Sequence, residues 1–306
     1  MTVQSGSVSI SAFGKAYRQL CGTGVGRIPG VNAVSTSIFW HLWGSKSPII
    51  EIQGSKMCMS PVGLPKSYQK TFQAYIMQQE WERLMTPLFK EAVEEADIFV
   101  DLGANIGYFT LLAARHMGER GKIYAFEPEP TNYSLLLKNI EVNGYNNIIP
   151  VQKAVSNTNG TVRFFLDRVD TGGHTIYQPE GRKEFIEIES VTLDEFFKDK
   201  GFHIDVIKMD VEGAEAAALQ GMEEIIRENS NLKLFIEFYP QAIRRSGNSP
   251  REFARILLED YHFSVLAMSD YSRDKYYSKI GNADELMNLC LDGHAVNLFC
   301  KRIIHA

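Results

Sequence analysis

No apolar run in the 306-residue chain approaches the roughly 18–20 residues that cross a bilayer, so no membrane-spanning helix is expected. The opening stretch, MTVQSGSVSISAFGKAY, lacks the continuous apolar core of a secretory signal, and a cytoplasmic location is the expectation. Cysteine is scarce. Cys21, Cys58, Cys290 and Cys300 show neither CxxC spacing nor the density of a disulfide framework, and buried, reduced thiols are expected. Basic residues are not in excess: 32 Lys and Arg face 37 Asp and Glu, a net charge of −5, which argues against a broad nucleic-acid-binding face. Internal repeats and low-complexity tracts are absent too. What remains is ordinary for a globular protein, 44% hydrophobic and 23% charged residues, at a length that buries a full core.

The first 65 or so residues carry little periodicity. Gly22, Gly24, Gly26, Pro29 and Gly30 break the chain into loop. The aromatic stretch SIFWHLWG at 37–44 fits a buried piece of an accessory region or a pocket wall. Residues 48–61, PIIEIQGSKMCMSP, alternate apolar and polar about Gly54 and predict a hairpin. From 68 to about 95 the spacing of Phe72, Tyr75, Ile76, Leu84, Leu88 and Val93 is helical, with Pro87 expected to divide it in two.

Beyond residue 97 strands and helices alternate. Strands are expected at 98–102, 122–128, 147–155, 204–210, 231–238 and 262–268, with a last one at 295–302. Helices are expected at 106–117, 131–143, 193–199, 212–228 and 249–260, and residues between 268 and 295 read as a loop joining an antiparallel edge hairpin. Two further strands, 160–167 and 184–191, read as an insertion or as extra strands at the sheet edge. The pattern predicts an α/β fold, a mostly parallel sheet covered by helices on both faces. The expected division is an N-terminal accessory region over 1–90, acting as a substrate or interface cap, and a ligand-binding domain over 91–306.

Residues 98–110, IFVDLGANIGYFT, combine a buried strand, a glycine-bearing turn and a helix start. Such a turn lets backbone N–H groups approach a ligand closely. In an open α/β sheet, ligands bind beyond the carboxyl ends of the strands, and here four strands run into an acid: Asp101, Glu127, Asp210 and Glu237. Glu127 lies where an acid can accept from both ribose hydroxyls, which suits a dinucleotide equally well. The loop separates the two ligands. Asn105 and Tyr108 stand where G-x-G-x-x-G needs its second and third glycines to admit a pyrophosphate. Asp101 suits a cationic group instead, and S-adenosylmethionine (SAM) brings an ammonium and a sulfonium.

The segments FVDLGANIGYFT, YAFEPEPTNYSLLLKNIEVNG, VTLDEFF and IDVIKMDVEGAEAAALQGM together resemble the FkbM-type methyltransferases, a branch of the class I SAM-dependent enzymes. The resemblance runs from about residue 82 to 237, and the linked pair DxGxNxG and KxDxEGxE is its specific part. It implies the seven-stranded, Rossmann-like class I sheet with its last strand antiparallel, SAM as methyl donor and often a hydroxyl oxygen as acceptor. Carried over, Asp101, Gly103, Asn105 and Gly107 would hold the methionine end of SAM, with Ala104 and Tyr108 of the same loop. Glu127, beside Pro128, would grip the ribose, and Lys153, Ala154 and Val155 would line the adenine. Glu82 would reach the amino or ribose end from the preceding helix, and Asp210 would sit near the methyl group.

Methyl transfer to oxygen needs acceptor, methyl carbon and sulfur in line, water excluded and the acceptor proton removed. Candidates for the proton are Asp210 first, then Lys208, Glu212 and His174, the last in the glycine-bearing loop DTGGHTIYQPE at 170–180. Glu212 and Glu215 also have a plain structural account, as acids at a helix N-terminus. Asp210 and Glu237, ending adjacent strands, could share a divalent cation, although no third ligand is obvious. Adenine amino-methylation is disfavoured because 210–213 reads DVEG rather than [DN]PP[YFW], and cytosine C5 chemistry because no cysteine follows a proline. A small-molecule, sugar-bearing or lipid-like acceptor is expected. Protein or RNA methylation stays open, as does a scaffold protein that binds SAM without turnover.

Overall fold

The computed structural model describes residues 49–58, 82–167, 173–178, 180–181, 184–269, 276–291 and 293–302. The 37–44 aromatic stretch, Cys21 and the helical pattern over 68–81 lie outside these residues.

Strands β1 (Ile49–Ile52) and β2 (Ser55–Cys58) form the expected hairpin. Gln53 and Gly54 both have positive φ, the two-residue turn whose twist matches antiparallel strands. Helix α1 (Met85–Glu94) takes Pro87 in its first turn, where the missing N–H costs nothing; the earlier part of the helical pattern, on the other side of the expected division, lies outside the described residues. Then follow β3 (Ile98–Leu102), α2 (Tyr108–Met117), β4 (Lys122–Phe126), α3 (Pro130–Asn143) and β5 (Ile148–Val151). A second group is β6 (Ala154–Val155), β7 (Gly160–Phe165) and β8 (Phe185–Val191). The chain continues through α4 (Leu193–Phe197), β9 (Val206–Met209), α5 (Glu215–Gln220), α6 (Glu223–Glu228), β10 (Lys233–Phe238), α7 (Pro240–Arg245) and α8 (Pro250–Arg255). It closes with β11 (Phe263–Ser269), β12 (Tyr276–Ile280), α9 (Ala283–Leu289) and β13 (Val296–Arg302).

The main sheet has the order β12-β11-β13-β10-β9-β3-β4-β5. Seven of these strands are the expected class I sheet, with β3, β4, β5, β9 and β10 parallel and β13 antiparallel to its neighbours. The antiparallel pair β11 and β13 lies at the edge side of the sheet, with β13 between β10 and β11. Two details go beyond the expectation. The stretch read as a loop holds β12 and α9, and β12 becomes the eighth, outermost strand. The two inserted strands leave the main sheet and form a small separate one with β6, in the order β6-β8-β7.

The long helix expected over 212–228 is two short ones. Gly221 packs so closely that a Cβ there would lie 2.1 Å from the Ser156 carbonyl oxygen. Its own carbonyl accepts from the Asp194 N–H, and the Asp194 carboxylate accepts from the N–H groups of Glu224 and Ile225, giving α6 its own start.

Alternation along the strands divides the core. Ile98, Val100, Leu102, Ile207, Met209, Leu234 and Ile236 point to the face covered by α5, α6 and α8. Phe99, Ile123, Val206 and Phe235 point to the other, against α1, α2 and the hairpin. By the same period-two rule, Asp101, Lys208 and Glu237 fall on the second face, at its carboxyl-terminal rim.

Candidate active site

β3 is buried throughout and delivers Asp101, 1% exposed, to the rim of the sheet. One of its oxygens accepts from the Thr110 hydroxyl at 2.6 Å; Oδ1 is buried without a partner. Burial pushes this carboxyl up, against the pull of Lys208 and Thr110. The chain then turns at Gly103, φ +78°, whose Cβ would lie 1.9 Å from the Asp210 carbonyl oxygen, so only glycine lets the loops after β3 and β9 meet. The N–H groups of Gly103 and Ala104 are tied to the Phe126 carbonyl at 3.0 and 2.9 Å. Asn105, φ +52°, donates its N–H to Glu127 at 2.8 Å, and Gly107, φ +99°, starts α2 ahead of the buried Tyr108.

Glu127, just past β4, is 5% exposed. Its second oxygen accepts from the Glu129 N–H at 2.9 Å. Burial raises its pKa to about 7 despite these two donors. Loop and acid are thus one unit. Pro128 follows, partly buried. Ala154 and Val155 are buried in β6, their backbone paired with β8, and Lys153 binds Glu189 at 2.7 Å.

On β9, Lys208 is abreast of Asp101 in the register and 5% exposed. Its ammonium sits 3.2 Å from Asp210 and 4.9 Å from the centre of the Phe109 ring. Burial by itself would lower its pKa, but Asp210, Asp101 and Glu82 together hold it above the ordinary lysine value. Glu82, 7% exposed and in left-handed backbone just ahead of α1, belongs to this group. One step beyond the last β9–β10 pair, Met209 with Ile236, the register sets Asp210 abreast of Glu237. Glu212 and Gly213 both have positive φ, and a Cβ on Gly213 would lie 2.8 Å from the Ala242 carbonyl oxygen. That turn brings Glu212 in. Asp210, Glu212 and Glu237 each place a carboxylate oxygen within 4.8 Å of the others. Glu237 is pushed well above the usual carboxylate range by burial and by Asp210, Glu212, Glu82 and Glu215.

The rim of β3, β4, β9 and β10 therefore gathers Glu82, Asp101, the 103–108 loop, Glu127, Lys208, Asp210, Glu212 and Glu237. His174 is placed in the small sheet's loop, its Nδ1 accepting from the Asp167 N–H at 2.8 Å and its ring 5.8 Å from Phe164. Sequence reasoning missed Tyr177, three residues on, which hydrogen-bonds Asn248 and feels the Glu215 charge. Nothing local links positions 177 and 248. Glu215, 2% exposed, takes the structural role expected of an acid at this helix start, accepting from the Val211 and Gly213 N–H groups at 3.2 Å each.

SAM fits these residues: the partnerless Asp101 oxygen is a buried acceptor for an ammonium. Residues 101–265, more than half the chain, match the Methyltransferase FkbM domain. Hexuronic acid methyltransferase AglP of Haloferax volcanii is 25% identical over 173 residues, 56% of this chain and 66% of that protein, just under two thirds of its length. Methyltransferase sdnD of Sordaria araneosa is 30% identical over 197 residues, 54% of this chain and 73% of that protein. Among solved structures, Methyltransferase FkbM from Methylobacillus flagellatus KT aligns with a TM-score of 0.41 and 17% identity, over 76% of this chain and 54% of that one. An O-methyltransferase from Bacillus cereus in complex with SAH aligns with a TM-score of 0.45 and 11% identity, over 78% and 91%. With a class I sheet, a glycine turn that follows a buried acid and a domain match over more than half its length, the chain belongs to the FkbM family of SAM-dependent methyltransferases.

Proposed function

We propose that the protein methylates an oxygen of a small, sugar-bearing or lipid-like acceptor. The observation that carries this is the trio Asp210, Glu212 and Glu237, carboxylates grouped beside the SAM loop where an acceptor hydroxyl must surrender its proton. SAM, when bound, supplies a methyl carbon on sulfonium sulfur, with the bonding pair staying on sulfur as the carbon leaves. Asp101 and the loop Gly103, Ala104, Asn105, Gly107 and Tyr108 hold its methionine end, with Glu82 alongside. Glu127 and Pro128 hold the ribose, and Ala154 and Val155 the adenine. Asp210 takes the proton, with Glu212 adjacent. Lys208 is held protonated by three acids and acts as a positioning residue beside Asp101 and Asp210. His174 serves on the acceptor side, with the loop that carries Tyr177.

The concentration of acid also disfavours a phosphate-rich acceptor such as RNA. The name of the Haloferax relative, a hexuronic acid methyltransferase, supports a sugar acceptor. Residues 1–90 form the accessory cap and 91–306 the catalytic domain, a division by function. Incubation with methyl-labelled SAM and a panel of glycosides, sugar acids, hydroxylated lipids, RNA and protein tests the proposal. Alkali-stable label on a hydroxyl compound supports it. Label confined to RNA or protein, or SAM binding with no transfer at all, overturns it.

A further inference from the structure

We propose that Thr110 is a positioning residue for the methyl donor: its hydroxyl fixes one oxygen of Asp101 so that the other is held out for the ammonium of SAM. This deepens the reading of Asp101 as the ammonium's acceptor and rests on it.

Thr110 is the third residue of α2 and is fully buried. A threonine in a helix commonly gives its hydroxyl to the carbonyl three or four residues back. Here those belong to Gly107 and Ile106, and both serve other donors. The Gly107 carbonyl accepts from the Leu111 N–H at 2.9 Å, and the Ile106 carbonyl from the Asn139 side chain at 2.8 Å. The Thr110 hydroxyl turns to Asp101 instead and donates to Oδ2 at 2.6 Å. That length falls in the range of a hydroxyl on an ionised carboxylate, about 2.5–2.7 Å.

A carboxylate at a strand end can otherwise rotate and present either oxygen. For Asp101 the backbone is set by pairing with β4 and β9 on either side, and Oδ2 is set by Thr110. Oδ1 is the oxygen left buried without a partner. A buried acceptor in that condition is unfavourable unless a donor arrives, and an ammonium is the strongest donor that SAM carries. The orientation is therefore built before the ligand binds, which lowers the cost of binding it.

Thr110 also acts on the charge. Burial favours the neutral acid, a poorer acceptor for an ammonium, while Lys208 and the hydroxyl and backbone N–H of Thr110 pull toward the ionised one. Lys208 is engaged with Asp210 at 3.2 Å as well, whereas the Thr110 hydroxyl is directed at Asp101.

Calorimetry on the full chain compares SAH with deamino-SAH, the analogue bearing hydrogen in place of the α-ammonium. Wild type is expected to bind the analogue at least about tenfold more weakly. Thr110→Val keeps the shape and the backbone N–H but removes the hydroxyl. It should weaken SAH by about tenfold or more and change deamino-SAH by no more than about twofold. Thr110→Ser, which retains the hydroxyl, should stay within about threefold of wild type for SAH. Should the valine variant fail to fold, Thr110→Ala against Thr110→Ser makes the same comparison, both lacking the methyl. A hydroxyl-free variant that binds SAH as wild type does, or loses both ligands equally, overturns the positioning role and leaves Asp101 in place. So does a serine variant no better than the alanine one. A wild type that binds SAH and deamino-SAH equally overturns the Asp101 reading beneath it, and one that binds neither overturns the SAM site itself.

Discussion

Asp101 and Asp210 lie on either side of Lys208 and are expected to fail differently. Asp101 is the buried, half-partnered acid, so Asp101→Ala removes the ammonium's acceptor and abolishes SAM binding by calorimetry. Asp210 is 29% exposed by side chain. Asp210→Asn keeps shape, spares SAM binding and lowers kcat. Normal SAM affinity in Asp101→Ala would refute the loop assignment. Glu127 gives a pH dependence. Its folded pKa of about 7 lies above the ordinary 4.5, so the unfolded chain ionises first and stability from this group is lost as pH rises toward about 7. Between about pH 5.5 and 7.5 the loss is about 2 kcal/mol. Urea melts should show that slope in the SAM-free protein and a flatter one in Glu127→Gln. SAH affinity should run the other way and fall below about pH 7, because ribose hydroxyls donate to the ionised acid.

Two elements owe their position to single residues. Asn139 on α3 is 0% exposed, accepts from the Cys58 N–H of the hairpin and donates to the Ile106 carbonyl of the SAM loop at 2.8 Å. Asn139→Ala strands two buried backbone groups, so a loss of about 2–4 kcal/mol is expected in a urea melt, together with weaker SAH binding. An unchanged SAH affinity would detach the hairpin from the site. Gly103 works by close approach. Gly103→Ala adds a methyl into the Asp210 carbonyl and forces an unfavourable φ, and it should cost at least about 2 kcal/mol and separate the loops after β3 and β9. A variant with wild-type stability and SAM affinity would show that the two loops do not need this contact.

At the scale of the molecule, the proposed functional division at 90/91 is not a folding boundary. α1 runs through it, and Phe89, fully buried, meets Phe99, Phe109 and Phe235 edge-to-face at 5.0–5.5 Å between ring centres. Losing one such ring costs about 3–5 kcal/mol, so a chain beginning at residue 91 should fail to give a cooperative thermal transition. The three cysteines among the described residues, Cys58, Cys290 and Cys300, are buried free thiols. Burial raises all three, Cys290 to about 11, which keeps them protonated. No helix among the described residues is long and apolar enough to cross a membrane.

Strand–helix alternation, the glycine turn and the acids at four strand ends were legible in the sequence because each depends on a few neighbouring residues. Periodicity places a side chain on a face, and a turn needs its glycine. What neighbours cannot encode is how separate segments meet. Whether 276–280 pairs as a strand depends on β11 lying alongside, and the break at Gly221 depends on Ser156 pressing from 65 residues away in the chain. The site divides in the same way. Asp101 and the loop after it named the methyl donor from local chemistry alone. The partnership of Lys208 with three acids, and the closing of Asp210, Glu212 and Glu237 on one another, came only with sheet register and a left-handed turn, because charges act through space and not along the chain.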